Sequence, residues 1–85
     1  MKIYVYTTPN CPQCQTSKTM LNNAKVVYTE VDVSQDEAAM QLVKELGYAS
    51  APVVVFDSTH WSGFRHEKLE NLITRYRSFL VQEAA

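Results

Sequence analysis

Two cysteines, Cys11 and Cys14, stand three positions apart directly behind a β-branched and aromatic run, Lys2-Ile3-Tyr4-Val5-Tyr6-Thr7-Thr8. That run alternates with period two, with Ile3 and Val5 on one face and Tyr4 and Tyr6 on the other, and reads as a strand. Pro12 follows Cys11 at once. Proline suits the first position of a helix, because the N–H it lacks would have no intrahelical acceptor. A helix is therefore expected from Pro12 to about Ala24, with Met20, Leu21 and Ala24 at helical spacing. Cys11 then occupies its N-cap, and Cys14 lies one turn in.

The rest of the chain follows the same rhythm. Lys25-Val26-Val27-Tyr28-Thr29-Glu30-Val31-Asp32-Val33 reads as a second strand. Ser34 followed three residues later by Glu37 has the pattern of a capping box. The helix it opens is expected to reach Leu46, to bury Ala39, Leu42, Val43 and Leu46, and to end at Gly47. Pro52-Val53-Val54-Val55-Phe56 is almost wholly apolar, as a buried central strand is. Asp57-Ser58-Thr59 is a turn, and His60 to Phe64 a short fourth strand bending at Gly63. A last helix is expected from about His66 to Gln82, with Leu69, Leu72, Ile73, Tyr76, Phe79 and Leu80 on one stripe. The order is β-α-β-α-β-β-α. It predicts an α/β fold over residues 1–85 as one domain, with a four-stranded mixed sheet flanked by three helices. The first two β-α connections are expected to join parallel strands, and the short turn after the third strand an antiparallel hairpin.

The chain has 85 residues, 46% of them hydrophobic. Eight basic and nine acidic residues give a net charge of −1. That balance is no footprint for nucleic acid or an acidic membrane surface. The sequence shows no secretory pattern and no stretch long enough to span a bilayer. A cytoplasmic location is expected, where paired cysteines serve catalysis or metal binding more than structure.

Three readings of the pair are open. A structural disulfide closing so short a loop removes little chain entropy and stabilises weakly. A zinc site needs further ligands, and only His60 and His66 are on offer, more than 40 residues downstream with no second Cys-x-x-Cys. A two-cysteine metal carrier, or an iron–sulfur cluster shared between two chains, is the other metal reading left open. A reactive dithiol fits the context best, since a helix N-terminus favours thiolate over thiol. Cys11 would attack and the less accessible Cys14 would resolve the mixed disulfide. No metal is expected on this reading. Pro52, just before the third strand, is placed where a residue without an N–H is tolerated. His60 and His66 read as surface residues. Tyr4, Tyr6, Tyr28 and Tyr76 read as core or sheet-face residues, Trp61 as a half-exposed anchor between polar neighbours, and Phe64 as either core or exposed.

With Cys11-Pro12-Gln13-Cys14 after the first strand, Pro52 before the third and Trp61-Ser62-Gly63-Phe64-Arg65 ahead of the last helix, the chain resembles the NrdH-redoxin family of glutaredoxin-like proteins. The resemblance implies a thioredoxin fold with a cis Ala51–Pro52 bond beside the dithiol. It implies a thiol–disulfide oxidoreductase that donates electrons to a class Ib ribonucleotide reductase. Recycling would come from thioredoxin reductase, with NADPH and FAD residing on that partner and no cofactor bound here. Cys11 and Cys14 match the family's redox pair, and Gln13 its usual glutamine. Thr8, Pro9, Gln13, Ala51, Trp61, Ser62, Gly63, Phe64 and Arg65 are expected to meet the partner, the protein acting as a monomer. Pro12 departs toward glutathione-dependent glutaredoxins. Those bind glutathione through a Gly-Gly turn and an acidic pair, whereas here the glycine pair is broken and Arg65 and His66 stand in place of the acids.

Overall fold

The computed structural model describes residues 1–84 and contains the seven elements in the expected order. These are β1 (Ile3–Thr7), α1 (Pro12–Asn23), β2 (Thr29–Asp32), α2 (Glu37–Glu45), β3 (Val53–Phe56), β4 (Thr59–Ser62) and α3 (His66–Ala84). The strands form one sheet in the order β2-β1-β3-β4. This is a thioredoxin-like fold.

The alternation in β1 divides the core. Ile3 and Val5 join Leu21, Val54, Trp61, Leu69 and Leu72 between the sheet and the pair α1 and α3. Tyr6 and Val53 face the other way and pack with Val33, Ala39 and Val43 under α2, Tyr4 lying partly buried against them. Burying these and the other large side chains of the first face is the main stabilising term, at roughly 1.5–3 kcal/mol each before chain entropy is set against it.

Register departs from expectation at α2. β1 and β2 are parallel, with Tyr6 opposite Val31. β3, however, is antiparallel to β1, with Tyr6 opposite Val53 and Ile3 opposite Phe56. The second connection therefore does not join parallel strands. The ends of β1 and β2 lie side by side, Thr7 opposite Asp32, and β3 starts beside that same end. The nine residues of α2, about 13 Å of helix, carry the chain over the face of the sheet and back to the edge it left. This reversal brings Pro52 to the end of the sheet that carries Cys11.

Other boundaries move for identifiable reasons. β2 is limited to four residues because upstream donors are spent elsewhere. The N–H of Val26 bonds Leu21 O at 3.0 Å, and that of Val27 bonds the Tyr76 hydroxyl at 3.3 Å. Ser34 does not cap α2: its N–H and hydroxyl both turn back to Asp32 Oδ1. Asp36 is the N-cap, accepting the Ala39 N–H at 3.0 Å. Gly47 does end the helix, at φ +94°. Leu42 and Leu80 are exposed rather than buried, lying at the margins of their helical stripes.

Candidate active site

Cys11 sits where β1 gives way to α1. Asn10 adopts φ 56°, a left-handed conformation that asparagine tolerates, and turns the chain into the helix. Cys11 is the N-cap, with extended backbone, and its Sγ accepts the Cys14 N–H at 3.1 Å. Pro12 takes the first helical position, as its fixed φ favours. The sulfur thus replaces the oxygen of an ordinary cap and receives a free backbone donor at the positive end of the helix dipole.

The two cysteines are joined in a disulfide, with Cα atoms 5.2 Å apart. They differ in access. Cys11 is partly exposed, whereas Cys14 is 1% exposed beneath the first turn of α1. Among the described residues no three His, Cys, Asp or Glu side chains are grouped to hold a metal ion.

Three further segments converge on this pair. The first is the loop ahead of β3. Ala51 O lies 3.8 Å from Cys11 Sγ, and the Ala51–Pro52 bond is cis. Pro52 is buried and donates nothing to the ladder, but its carbonyl accepts the Gly63 N–H at 2.8 Å. The second is the bend after β4, where the Ser62 hydroxyl bonds Ser50 O at 3.1 Å. Gly63 has φ +84°, and Gln13 Oε1 accepts the Phe64 N–H at 2.9 Å. The third is the end of β1. Thr8 and Ala51, with Tyr6, Val33, Tyr48 and Val53, line a largely apolar cavity of about 80 Å³ between α2 and the loop ahead of β3.

Of the residues expected to meet a partner, Thr8, Ala51, Ser62, Gly63 and Phe64 are partly buried, and Pro9, Gln13 and Arg65 are exposed. Trp61 is not a half-exposed anchor. It is 3% exposed, paired with Val54 across the hairpin and set edge-on to Phe56 with centroids 6.4 Å apart. Polar neighbours on either side are what period-two alternation produces around a core residue, and that periodicity was the signal to weigh. Phe64 is partly buried against the same core and stands edge-to-face with His66. His66 is exposed and 3.2 Å from Glu70, and exposed His60 contacts the Tyr48 hydroxyl.

Reasoning from sequence missed the Gln13–Phe64 tie and the cavity beside Thr8. Both join residues more than 40 positions apart, which no local pattern marks. It also missed Ser17, buried on α1 one turn past Cys14.

The sequence matches the Glutaredoxin family over residues 3–61. The chain belongs to that family. Within it, this glutaredoxin-like chain is 31% identical over 70 residues to the protein NrdH of Lactococcus lactis subsp. cremoris, covering 82% of this chain and 97% of that one. It is 29% identical over 72 residues to NrdH of Escherichia coli, covering 85% and 89%. The solved NrdH-redoxin of Escherichia coli superimposes with a TM-score of 0.82 at 29% identity, over 85% of this chain and 95% of that one. A thioredoxin-like protein of known crystal structure is 43% identical, with a TM-score of 0.77 over 84% and 99%. This NrdH-like glutaredoxin is a thiol–disulfide oxidoreductase, a thiol redox carrier with a cysteine pair.

Proposed function

We propose that the protein carries two electrons from an NADPH-dependent, FAD-containing thioredoxin reductase to a class Ib ribonucleotide reductase, as a cytoplasmic monomer with no bound cofactor. In the reduced state Cys11 is the nucleophile. Its thiolate attacks one sulfur of the partner's disulfide and the partner's other sulfur leaves. Cys14 then attacks Cys11 Sγ, frees the partner's second thiol and closes the intramolecular disulfide. The reductase restores both thiols.

The roles rest on access and on the cap. Cys11 is the sulfur a partner can reach and the one that receives a backbone N–H, so negative charge on it is stabilised.

The single observation that favours a protein reductant over glutathione is the segment from Ser62 to His66. A basic Arg65 is exposed where a carboxylate would be needed to pair the glutathione ammonium, and the Phe64 N–H is already taken by Gln13. The likeness to NrdH proteins supports the same choice. The test is a coupled NADPH oxidation assay. Thioredoxin reductase should drive turnover of the disulfide, and glutathione with glutathione reductase should give little. Equal or faster turnover with glutathione would replace this reading with that of a glutathione-dependent glutaredoxin.

A further inference from the structure

Ser17 is fully buried, yet its hydroxyl has no hydrogen-bond partner among the described residues. Leaving a buried hydroxyl unpaired is costly. The ordinary remedy on a helix is a bond back to the carbonyl four residues earlier. Thr16, the neighbour on the exposed side of α1, makes that bond to Pro12 O at 3.0 Å. Ser17 makes no such bond.

The position of Ser17 supplies the reason. It lies three residues after Cys14, so the two Cβ atoms share a face of α1 at about 5–6 Å. Helical side chains lean toward the N-terminus, which directs Ser17 over the turn that holds Cys14. Both residues are buried on the same side of the helix. The Cys14 sulfur is the nearest redox-active atom on that face. In the disulfide that sulfur carries neither proton nor charge and is a poor acceptor. As a thiol it can donate or accept, and as a thiolate it accepts strongly.

We propose that Ser17 is the hydrogen-bond partner of the Cys14 sulfur in the reduced protein, and so shifts the redox equilibrium toward the dithiol. The inference rests on Cys11 and Cys14 forming the reversible redox pair. Reduction by a partner dithiol adds two electrons and two protons, breaks the bond between the two sulfurs, and closes the partner's own disulfide. The Ser17 hydroxyl is unsatisfied before this step and satisfied after it. During resolution the same bond holds charge on Cys14 as it attacks Cys11 Sγ, while the leaving partner sulfur takes up the proton.

The test is Ser17→Ala, which removes one oxygen and places a good helix former in the helix interior. The variant and the natural protein are equilibrated with reduced and oxidised dithiothreitol, and the thiols are counted by alkylation and mass measurement. Unfolding of each redox form is measured alongside. The variant should favour the disulfide by about threefold to tenfold, tenfold being about 30 mV. The oxidised variant should be no less stable than the oxidised natural protein, because an unpaired polar group has been removed. The reduced variant should lose stability by the amount the equilibrium shift requires. An unchanged equilibrium, or equal losses in both forms, would make Ser17 a packing residue and overturn the inference. If the natural protein itself does not cycle with dithiothreitol, the reading of the cysteine pair falls with it, so the two failures are distinct.

Discussion

Gln13 Oε1 accepts the backbone N–H of Phe64 at 2.9 Å, tying one of the two residues between the cysteines to one 51 positions away. The bond fixes the bend after β4 against the first turn of α1. It also leaves little room, since a Cβ on Gly63 would lie 3.2 Å from the same oxygen. The disulfide loop, the proline loop and the bend therefore form one surface, joined by Gly63 N–H to Pro52 O and by Phe64 N–H to Gln13.

Gln13→Ala should lower stability of the oxidised protein by about 1 kcal/mol, the net worth of one hydrogen bond. Gln13→Glu, which keeps an acceptor, should lose less. Gly63→Ala should cost about 1–2 kcal/mol, because its positive φ disfavours any side chain. Combining Gly63→Ala with Gln13→Ala relieves the crowding and leaves the backbone cost. Urea unfolding measures all four, and a neutral Gly63→Ala would show that the bend can relax.

Cys11→Ser should abolish disulfide reduction, since it removes the only partly exposed sulfur of the pair. Cys14→Ser should still form a mixed disulfide and then stall, because nothing displaces the partner. Trapping with a disulfide substrate, read by mass, distinguishes the two. Faster alkylation of Cys14 than of Cys11 in the reduced protein at neutral pH would reverse the assigned roles.

Phe64→Ala, Arg65→Asp and His66→Asp together should admit glutathione. Acidic groups at the start of α3 would pair its ammonium end and suit the helix dipole. KM with thioredoxin reductase should rise, and glutathione-dependent turnover should become measurable. If neither rate changes, reductant choice is written elsewhere, and Pro12 is the next residue to replace.

Burial, with smaller contributions from Tyr4 and Asp36, holds the Tyr6 hydroxyl above its usual pKa near 10.0. The folded chain then keeps this proton more tightly than the unfolded chain. The resulting stability is full below the unfolded value and is lost as pH rises through the folded one. The advantage of the natural protein over Tyr6→Phe should therefore shrink between about pH 9 and about pH 11. Urea midpoints across that range check it, and a constant difference would mean that Tyr6 titrates alike in both states.

The local signals in the sequence were those that act within a turn or two of chain. Period-two alternation sorted Ile3 and Val5 from Tyr4 and Tyr6, because a strand points successive side chains to opposite faces. Pro12 marked the start of α1 and placed Cys11 at its cap, and Gly47 marked the end of α2. Those features depend on φ, on a missing N–H and on the nearest backbone donors, all of which a short peptide already possesses. Tertiary structure decided the rest. Val26 and Val27 have strand-like side chains, but their donors go to Leu21 and Tyr76, so β2 starts later. Ser34 and Asp36 are both good caps, and the return of Ser34 to Asp32 leaves the role to Asp36. Trp61 looked accessible until Val54 and Phe56 closed over it. The free edge of β1 set where β3 pairs, and the return of the chain over α2 set its antiparallel direction, and with it the meeting of Pro52 and Cys11. Each of these outcomes is a competition for one donor, one acceptor or one patch of apolar surface between residues far apart in sequence, and only the folded chain brings the competitors together.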